Sequence, residues 1–481
     1  MTSYPEEPPT AGARQPGLSL AAFPALLFSF LPYPLQTRLT GGSIARRVLT
    51  LAWPAVAEQA LVTLIGLVDA YIVGHLGAAA LAGVGLGGQV LNLTGALFGA
   101  IGVGGTALIA RHIGAQEYAE ANALARQALL LALAIGSLAA LACFFFAREL
   151  IVFFGATPEV VETGSAWLRT VSPSFVLLGV MLVGTGALRG TGDMRTPLAV
   201  MVVVNLVNIT VAWTLTHGVL GLPRLGVIGS GLGAFCGQTV GGLIILALFV
   251  RGRGQLRLGW QVPRPDFHRL GRILNIGLPA GAEQVLLQLG LLNMAAIIAH
   301  FGTEAYAAHQ VGLRISALAY LPGWGFSIAA TTLVGQELGA RRPDQARKAT
   351  FVAYLFGLAL MSLMGVGLLV FNMQILRLFT EDERVIAAGT TVIAVCALIQ
   401  PFMATSFIFG GGLRGAGDTR MTLIITVSSM WALRLTAAYV LGITLGLGLL
   451  GAWLAVGLDF GFRGLFFWLR FRSGKWAALK V

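Results

Sequence analysis

The sequence predicts an all-α polytopic membrane protein: twelve transmembrane helices in two six-helix lobes, related by a pseudo-two-fold axis along the membrane normal. Three observations carry this. Apolar residues fill 56% of the 481 positions and charged residues only 11%, against about 25% charged in soluble domains. Twelve apolar runs are of the length, roughly 20 residues, that a spanning helix needs. Finally, one unit is written twice. Leu188-Arg-Gly-Thr-Gly-Asp-Met-Arg195 returns as Leu413-Arg-Gly-Ala-Gly-Asp-Thr-Arg420, 225 positions later. The same ungapped shift lays Pro54-Ala-Val-Ala-Glu-Gln59 on Pro279-Ala-Gly-Ala-Glu-Gln284. It also lays His75 and Gly77 on His300 and Gly302, Thr106 on Thr331, and Gly114 on Gly339. In so apolar a chain, duplication points to a transporter with a central site between its halves.

The apolar runs place the first-half spans at 48–74, 84–111, 124–146, 165–188, 196–217 and 226–250. Those of the second half fall at 270–299, 309–336, 349–371, 388–412, 420–443 and 447–470. Residues 1–42 precede the repeat as a Pro-rich extension with an acidic start, unlike a secretory signal. The organisation is then an N-lobe over 43–250, a linker over 251–269, a C-lobe over 270–471 and a tail over 472–481. The 64 glycines suit close helix–helix approach in lipid.

Basic residues set the orientation. Arg251, Arg253, Arg257, Arg264, Arg269 and Arg272 crowd the linker region, and Arg341, Arg342, Arg347 and Lys348 lie near one later loop. Arg470, Arg472, Lys475 and Lys480 lie at the chain end. All fall on one side, which puts both termini in the cytoplasm. The net charge of +12 is dispersed between apolar segments, so no basic face for nucleic acid forms. Cys143, Cys236 and Cys396 sit in apolar runs without metal-ligand spacing. No metal site and no cofactor is expected.

Charged residues inside spans are costly and mark candidate sites. Asp69 stands late in span 1. Glu58 stands 11 residues earlier, almost three turns at about 3.6 residues per turn, so both share one helix face. Pro54 is one turn further back and weakens the helix there. Two stacked acids on a bendable helix suit a protonation-driven switch. Asn205 and Asn208 in span 5 are candidate partners for Asp69. Glu283 repeats Glu58, whereas Asp69 falls on Met294. Ion coupling is therefore expected in the first lobe, at Asp69, Glu58 and Asn208. Pro54 and Pro279 are the candidate kinks. Gln59, Asn205, Glu283, Gln284, Gln310 and Arg314 are the candidate cavity residues. Asp459 and Arg463 have the spacing of a helical ion pair, and Arg314 and Arg434 either neutralise an acid, line a polar cavity or snorkel toward an interface. In the repeated turns (Arg189, Gly190, Gly192, Asp193 and Arg414, Gly415, Gly417, Asp418) the aspartates are expected to cap or pair. Their arginines are expected to anchor to anionic lipid headgroups. The P-loop lysine is missing.

These residues resemble the multidrug and toxic compound extrusion (MATE) family, in its DinF-type bacterial branch. The resemblance rests on Leu51-Ala-Trp-Pro54, Leu67-Val-Asp69 with Gly74-His-Leu-Gly77, and both Leu-Arg-Gly-x-Gly-Asp turns. It rests further on Ala307-Ala-His-Gln-Val-Gly-Leu-Arg-Ile315 and Thr331-Thr-Leu-Val-Gly-Gln-Glu-Leu-Gly339. It covers about residues 44–470 and implies a V-shaped pair of bundles in a bacterial inner membrane, likewise monomeric. That machine would export organic cations or amphiphiles by alternating access, driven by inward flow of H⁺ or Na⁺. Asp69 matches the family's first-helix aspartate, proposed as its protonation site, and Pro54 its kink proline. Asn208 falls where the family often has an asparagine followed four residues later by an aspartate. Here that later position is Ala212, which leaves Glu58 as the substitute acid. A lipid-linked-precursor flippase of the related superfamily would need a large cationic cavity, for which only Arg314 and Arg434 are candidates. A membrane-embedded enzyme would need a clustered nucleophile or acid–base set, and none stands out.

Overall fold

Twelve helical spans follow one another with short connections. The computed structural model describes residues 44–252, 256–257 and 264–479. The 1–42 extension, residues 253–255 and 258–263 of the 251–269 linker, and Lys480 lie outside the described residues. Among the described residues, eleven helices are long and apolar enough to cross a membrane, and one bent pair makes a twelfth. They are α1 Ile44–Gly74, α2 Ala78–Gly114, α3 Tyr118–Phe145, α4 Pro158–Thr191, α5 Arg195–His217 and α6 Val227–Arg251. The second set is α7 Phe267–Ala299, α8 Thr303–Ala319 with Leu321–Gly339, α9 Pro343–Val370, α10 Glu383–Gly415, α11 Thr419–Thr444 and α12 Gly448–Arg472.

Sequence chemistry sets the breaks. α4 is interrupted by a 3₁₀ turn at Ser172–Ser174, around Pro173. α8 bends by 44° between its two segments. Pro322 opens the second segment and offers no backbone N–H to the turn before it. The expected continuous span over 309–336 is thus a broken one. α11 is π-helical over Ser428–Leu435 and again over Val440–Thr444. Asp266 caps α7, accepting from the backbone N–H groups of His268 and Arg269 at 3.0 and 3.1 Å. The Arg269 N–H and the other hydrogen bonds and charges there hold the Asp266 carboxyl below the usual carboxylate range.

The two halves share packing at one end of the molecule, where α1 and α7 begin. We call this the basic end. Ala45, Val48 and Ala52 of α1 join a core with Phe326, Ala329 and Ala330 of α8 and Phe356 of α9. Reciprocally, Ile273 and Ile276 of α7 join the core of the first half. Each lobe therefore takes the first half of the other lobe's leading helix. Between them α2 and α8 cross at two glycines. A Cβ on Gly114 would lie 1.9 Å from the Gln336 carbonyl oxygen, and one on Gly339 would lie 1.8 Å from that of Arg111. Only glycine permits this approach. The 225-residue shift interchanges the two contacts, so the crossing lies on the pseudo-two-fold axis.

Candidate functional site

The distal half of α1 brings Asp69 against α5, where it faces the Asn208 side chain. Asn208 is buried, and its Oδ1 and the Asp69 Oδ1 are both buried without a protein partner. Asn205 does not join them. Its Nδ2 donates to the Met201 carbonyl of its own helix at 2.9 Å. Packing explains why no second acid stands here. α6 presents Gly233 and Gly237 to α5. A Cβ on Gly233 would lie 2.5 Å from the Ala212 Cβ, and one on Gly237 would lie 3.1 Å from the Asn208 Cβ. Position 212 is fully buried in this seam.

Glu58, the proposed substitute acid, stands apart from Asp69 and holds an arginine. It shares a face with Asp69 as its spacing requires, but 11 residues at about 1.5 Å each set them roughly 16 Å apart along the helix. Its Oε1 accepts from Arg189 Nη2 of α4 at 2.6 Å. The repeat copies this pair: Arg414 Nη2 donates to Glu283 Oε1 at 2.5 Å. Thr422 and Thr426 of α11 also donate to Glu283, each at 3.0 Å. Arg189 and Arg414 therefore turn inward to carboxylates, and the expected anchoring to lipid headgroups is corrected.

The rest of the repeated turn follows the same logic. Gly192 and Gly417 adopt left-handed conformations, φ 90° and 83°, and close α4 and α10 with Schellman-type bonds. Asp193 N–H donates to the Leu188 carbonyl at 3.1 Å, and Asp418 N–H to that of Leu413 at 2.9 Å. Gly190 and Gly415 allow close helix approach: a Cβ on each would lie 3.0 Å from the Thr106 carbonyl and 2.2 Å from the Thr331 carbonyl. Asp193 then caps α5 through Thr196 N–H at 3.0 Å. Asp418 instead accepts from Arg470 Nε of α12 at 2.7 Å.

Pro54 and Pro279 lie inside continuous helices. Of the candidate cavity residues, Gln59 and Gln310 are half-buried, Gln284 and Arg314 are exposed, and Glu283 is buried in its ion pair. No hydrogen bond joins these side chains to one another among the described residues. No group of three or more His, Cys, Asp or Glu side chains converges to hold a metal ion among the described residues.

The second lobe holds a charge cluster that sequence reading saw only in part. Arg463 Nη2 donates to both Asp459 carboxylate oxygens at 2.7 Å, the expected helical pair. Arg434 of α11 adds its Nη1 at 3.5 Å from Asp459, and Ser429 donates to the same carboxylate. His309 of α8 lies near Arg434 and against the Trp453 ring, with centroids 5.7 Å apart. The spacing signal marked Asp459 and Arg463 alone. Arg434 and His309 arrive from other helices.

Two duplicated helical lobes of membrane-spanning length, each holding its own buried polar cluster, have the architecture of a membrane transporter. The MatE family model matches residues 54–214 and 279–440, once in each half. The chain belongs to the MATE family of transporters. It is 31% identical over 434 residues to a probable multidrug resistance protein NorM of Thermotoga maritima, covering 90% of this chain and 93% of that one. It is 29% identical to the multidrug resistance protein PmpM of Pseudomonas aeruginosa, covering 85% and 87%. A solved outward-facing multidrug resistance MATE transporter of the MOP superfamily superposes with a TM-score of 0.85, at 23% identity, over 91% of this chain and 98% of that one. That likeness bears on the fold.

Proposed function

We propose that this protein exports cationic or amphipathic small molecules from a bacterial cell, in exchange for protons entering through the N-lobe. The observation that carries the reading is Asp69. Glu58, Glu283 and Asp459 each hold an arginine, whereas Asp69 faces a neutral asparagine and keeps a carboxylate oxygen unpartnered. An acid without a fixed counter-charge is free to exchange a proton for a cation. The family relationship and the relatives named for multidrug resistance support the substrate class.

The ionised Asp69 holds the cation and keeps α1 straight. Protonation removes the charge, α1 bends at Pro54, and the substrate leaves at the distal end. The inter-lobe approaches at Gly104, Gly114, Gly277, Gly325 and Gly339 all fall in the basic halves of their helices. The distal halves of α1 and α7 expose Leu64, Leu67, Leu289 and Leu292, which agrees with a cleft open at that end. We place the basic end in the cytoplasm and the protein in the inner membrane. The test is drug efflux from cells expressing Asp69→Asn, with pH and Na⁺ varied independently. Export is expected to fall to background while the variant reaches the membrane in normal amount. Full export by that variant sinks the assignment, and export that follows Na⁺ alone replaces the proton by sodium.

A further inference from the structure

We infer that the second lobe contains an anion-binding site built on Arg434 and Arg463, suited to a carboxylate group on the transported molecule. Arg434 and Arg463 bring two positive charges to one negative charge on Asp459. Arginine does not deprotonate in proteins. The cluster therefore carries one uncompensated positive charge at membrane depth. All three residues are more than nine-tenths buried. The Nε groups of both arginines and Trp453 Nε1 are buried donors without a protein partner, and His309 Nδ1 is likewise unpartnered. Buried donors left in excess of acceptors, around a fixed cation, form a binding site for an anion.

Helix packing does not demand these charges. Gly229 of α6 and Gly451 of α12 play equivalent parts: a Cβ on each would lie 2.5 Å from a main-chain carbon of the preceding helix, at Leu215 and Leu441. Counting from these glycines, Gly237 stands in α6 where Asp459 stands in α12, and Gly241 where Arg463 stands. The N-lobe closes the same seam with glycine. The C-lobe fills it with charge and widens α11 into a π-helix that carries Ser429 and Arg434. π-Turns inside helices are frequent at functional sites. The lobes thus hold sites of opposite sign, an unpaired carboxylate at Asp69 and an excess guanidinium at Arg434. A zwitterionic amphiphile satisfies both.

This inference rests on the export reading for its ligand, and its test separates the two. The full chain is placed in nanodiscs and binding is followed by fluorescence anisotropy. The probes are rhodamine 110, a zwitterion, and rhodamine 123, its cationic methyl ester. Wild type is expected to prefer rhodamine 110 by roughly tenfold. Arg434→Gln leaves the Asp459–Arg463 pair neutral, so it is expected to lose that preference while binding rhodamine 123 as before. Asp459→Asn adds net positive charge and is expected to enlarge it. A second arm measures Tm in chloride against gluconate. A chloride-dependent rise that Arg434→Gln lacks, without a rhodamine preference, assigns the same site to a small inorganic anion. The inference is overturned by equal binding of both dyes together with a chloride-independent Tm. Proton-driven uptake of rhodamine 123 into proteoliposomes is read separately. Its absence, with the anion responses intact, overturns the export reading and leaves this one standing.

Discussion

At the residue scale, the repeated motifs turn out to bind one another. The glutamate of Pro-Ala-x-Ala-Glu-Gln and the arginine of Leu-Arg-Gly-x-Gly-Asp form the same ion pair in each lobe, Glu58 with Arg189 and Glu283 with Arg414. These carboxylates are buried, so removing one partner leaves a stranded charge. Arg189→Gln is expected to destabilise the protein by about 3–5 kcal/mol, a value reduced toward its lower end by the partial exposure of Arg189. A thermal melt of purified protein in detergent checks this, and Glu58→Gln combined with Arg189→Gln is expected to recover much of the loss. If Glu58→Gln instead abolishes transport with an unchanged melt, Glu58 is a coupling acid and not a joint. Asp69 makes the contrasting case: no cation pairs with it among the described residues, and under the proposed function its loss is expected to cost transport before stability. The motif residues were legible in the sequence because they repeat. Their pairing was not, because Glu58 and Arg189 lie 131 positions apart and only the fold brings them together.

At the element scale, helices are joined by glycine and opened by proline. The α2–α8 crossing leaves no room for a methyl group at either glycine. Gly339→Ala is expected to push the basic end apart and shift the protein toward a state open at that end. Cysteine accessibility at the basic end, measured with a membrane-impermeant reagent on inverted vesicles, should rise several-fold. Unchanged labelling would show that the crossing is not the closure. Polar and charged contacts reinforce it on both sides, between different residue types. Arg47 of α1 donates to Glu337 of α8 at 2.6 Å, and Arg342 Nε lies 3.1 Å from the same carboxylate. Under the repeat shift these positions become Arg272, His112 and Glu117. There the His112 Nε2 lies 2.9 Å from Arg272 Nη2, and its Nδ1 lies 2.6 Å from a Glu117 oxygen. The break in α8 was written in Pro322, whereas the π-helical stretches of α11 have no local signature. The first of them carries Ser429 and Arg434 toward Asp459 of α12.

At the scale of the whole molecule, the basic loops and both described chain ends share one side. Under the proposed orientation, a cysteine at Ser473 is expected to be protected from an impermeant maleimide in intact cells. One at Gly155, in the connection before α4, is expected to be labelled. The native Cys143, Cys236 and Cys396 are replaced first. The reverse pattern would invert the transport direction proposed. The lobes are also joined differently from what two consecutive halves suggest. α1 packs in the second lobe's core at its basic end and α7 in the first's, so both leading helices straddle the cleft. A bend in α1 is thereby coupled to both lobes at once.

The sequence by itself determined the membrane class, the number and order of spans, the duplication and the place where it fails at Asp69. These follow from local hydropathy and from a register that can be counted. Tertiary structure alone decided which acids are free. Glu58 and Asp69 are alike in the sequence, two carboxylates on one helix face, and they differ because α4 sends an arginine to one and α5 an asparagine to the other. It also decided that Ala212 closes the seam where a second acid would stand, and that Arg434, Asp459 and Arg463 form one cluster. Electrostatic partnership depends on distance in space, and in a helical bundle that distance is set by which helices cross and at what depth.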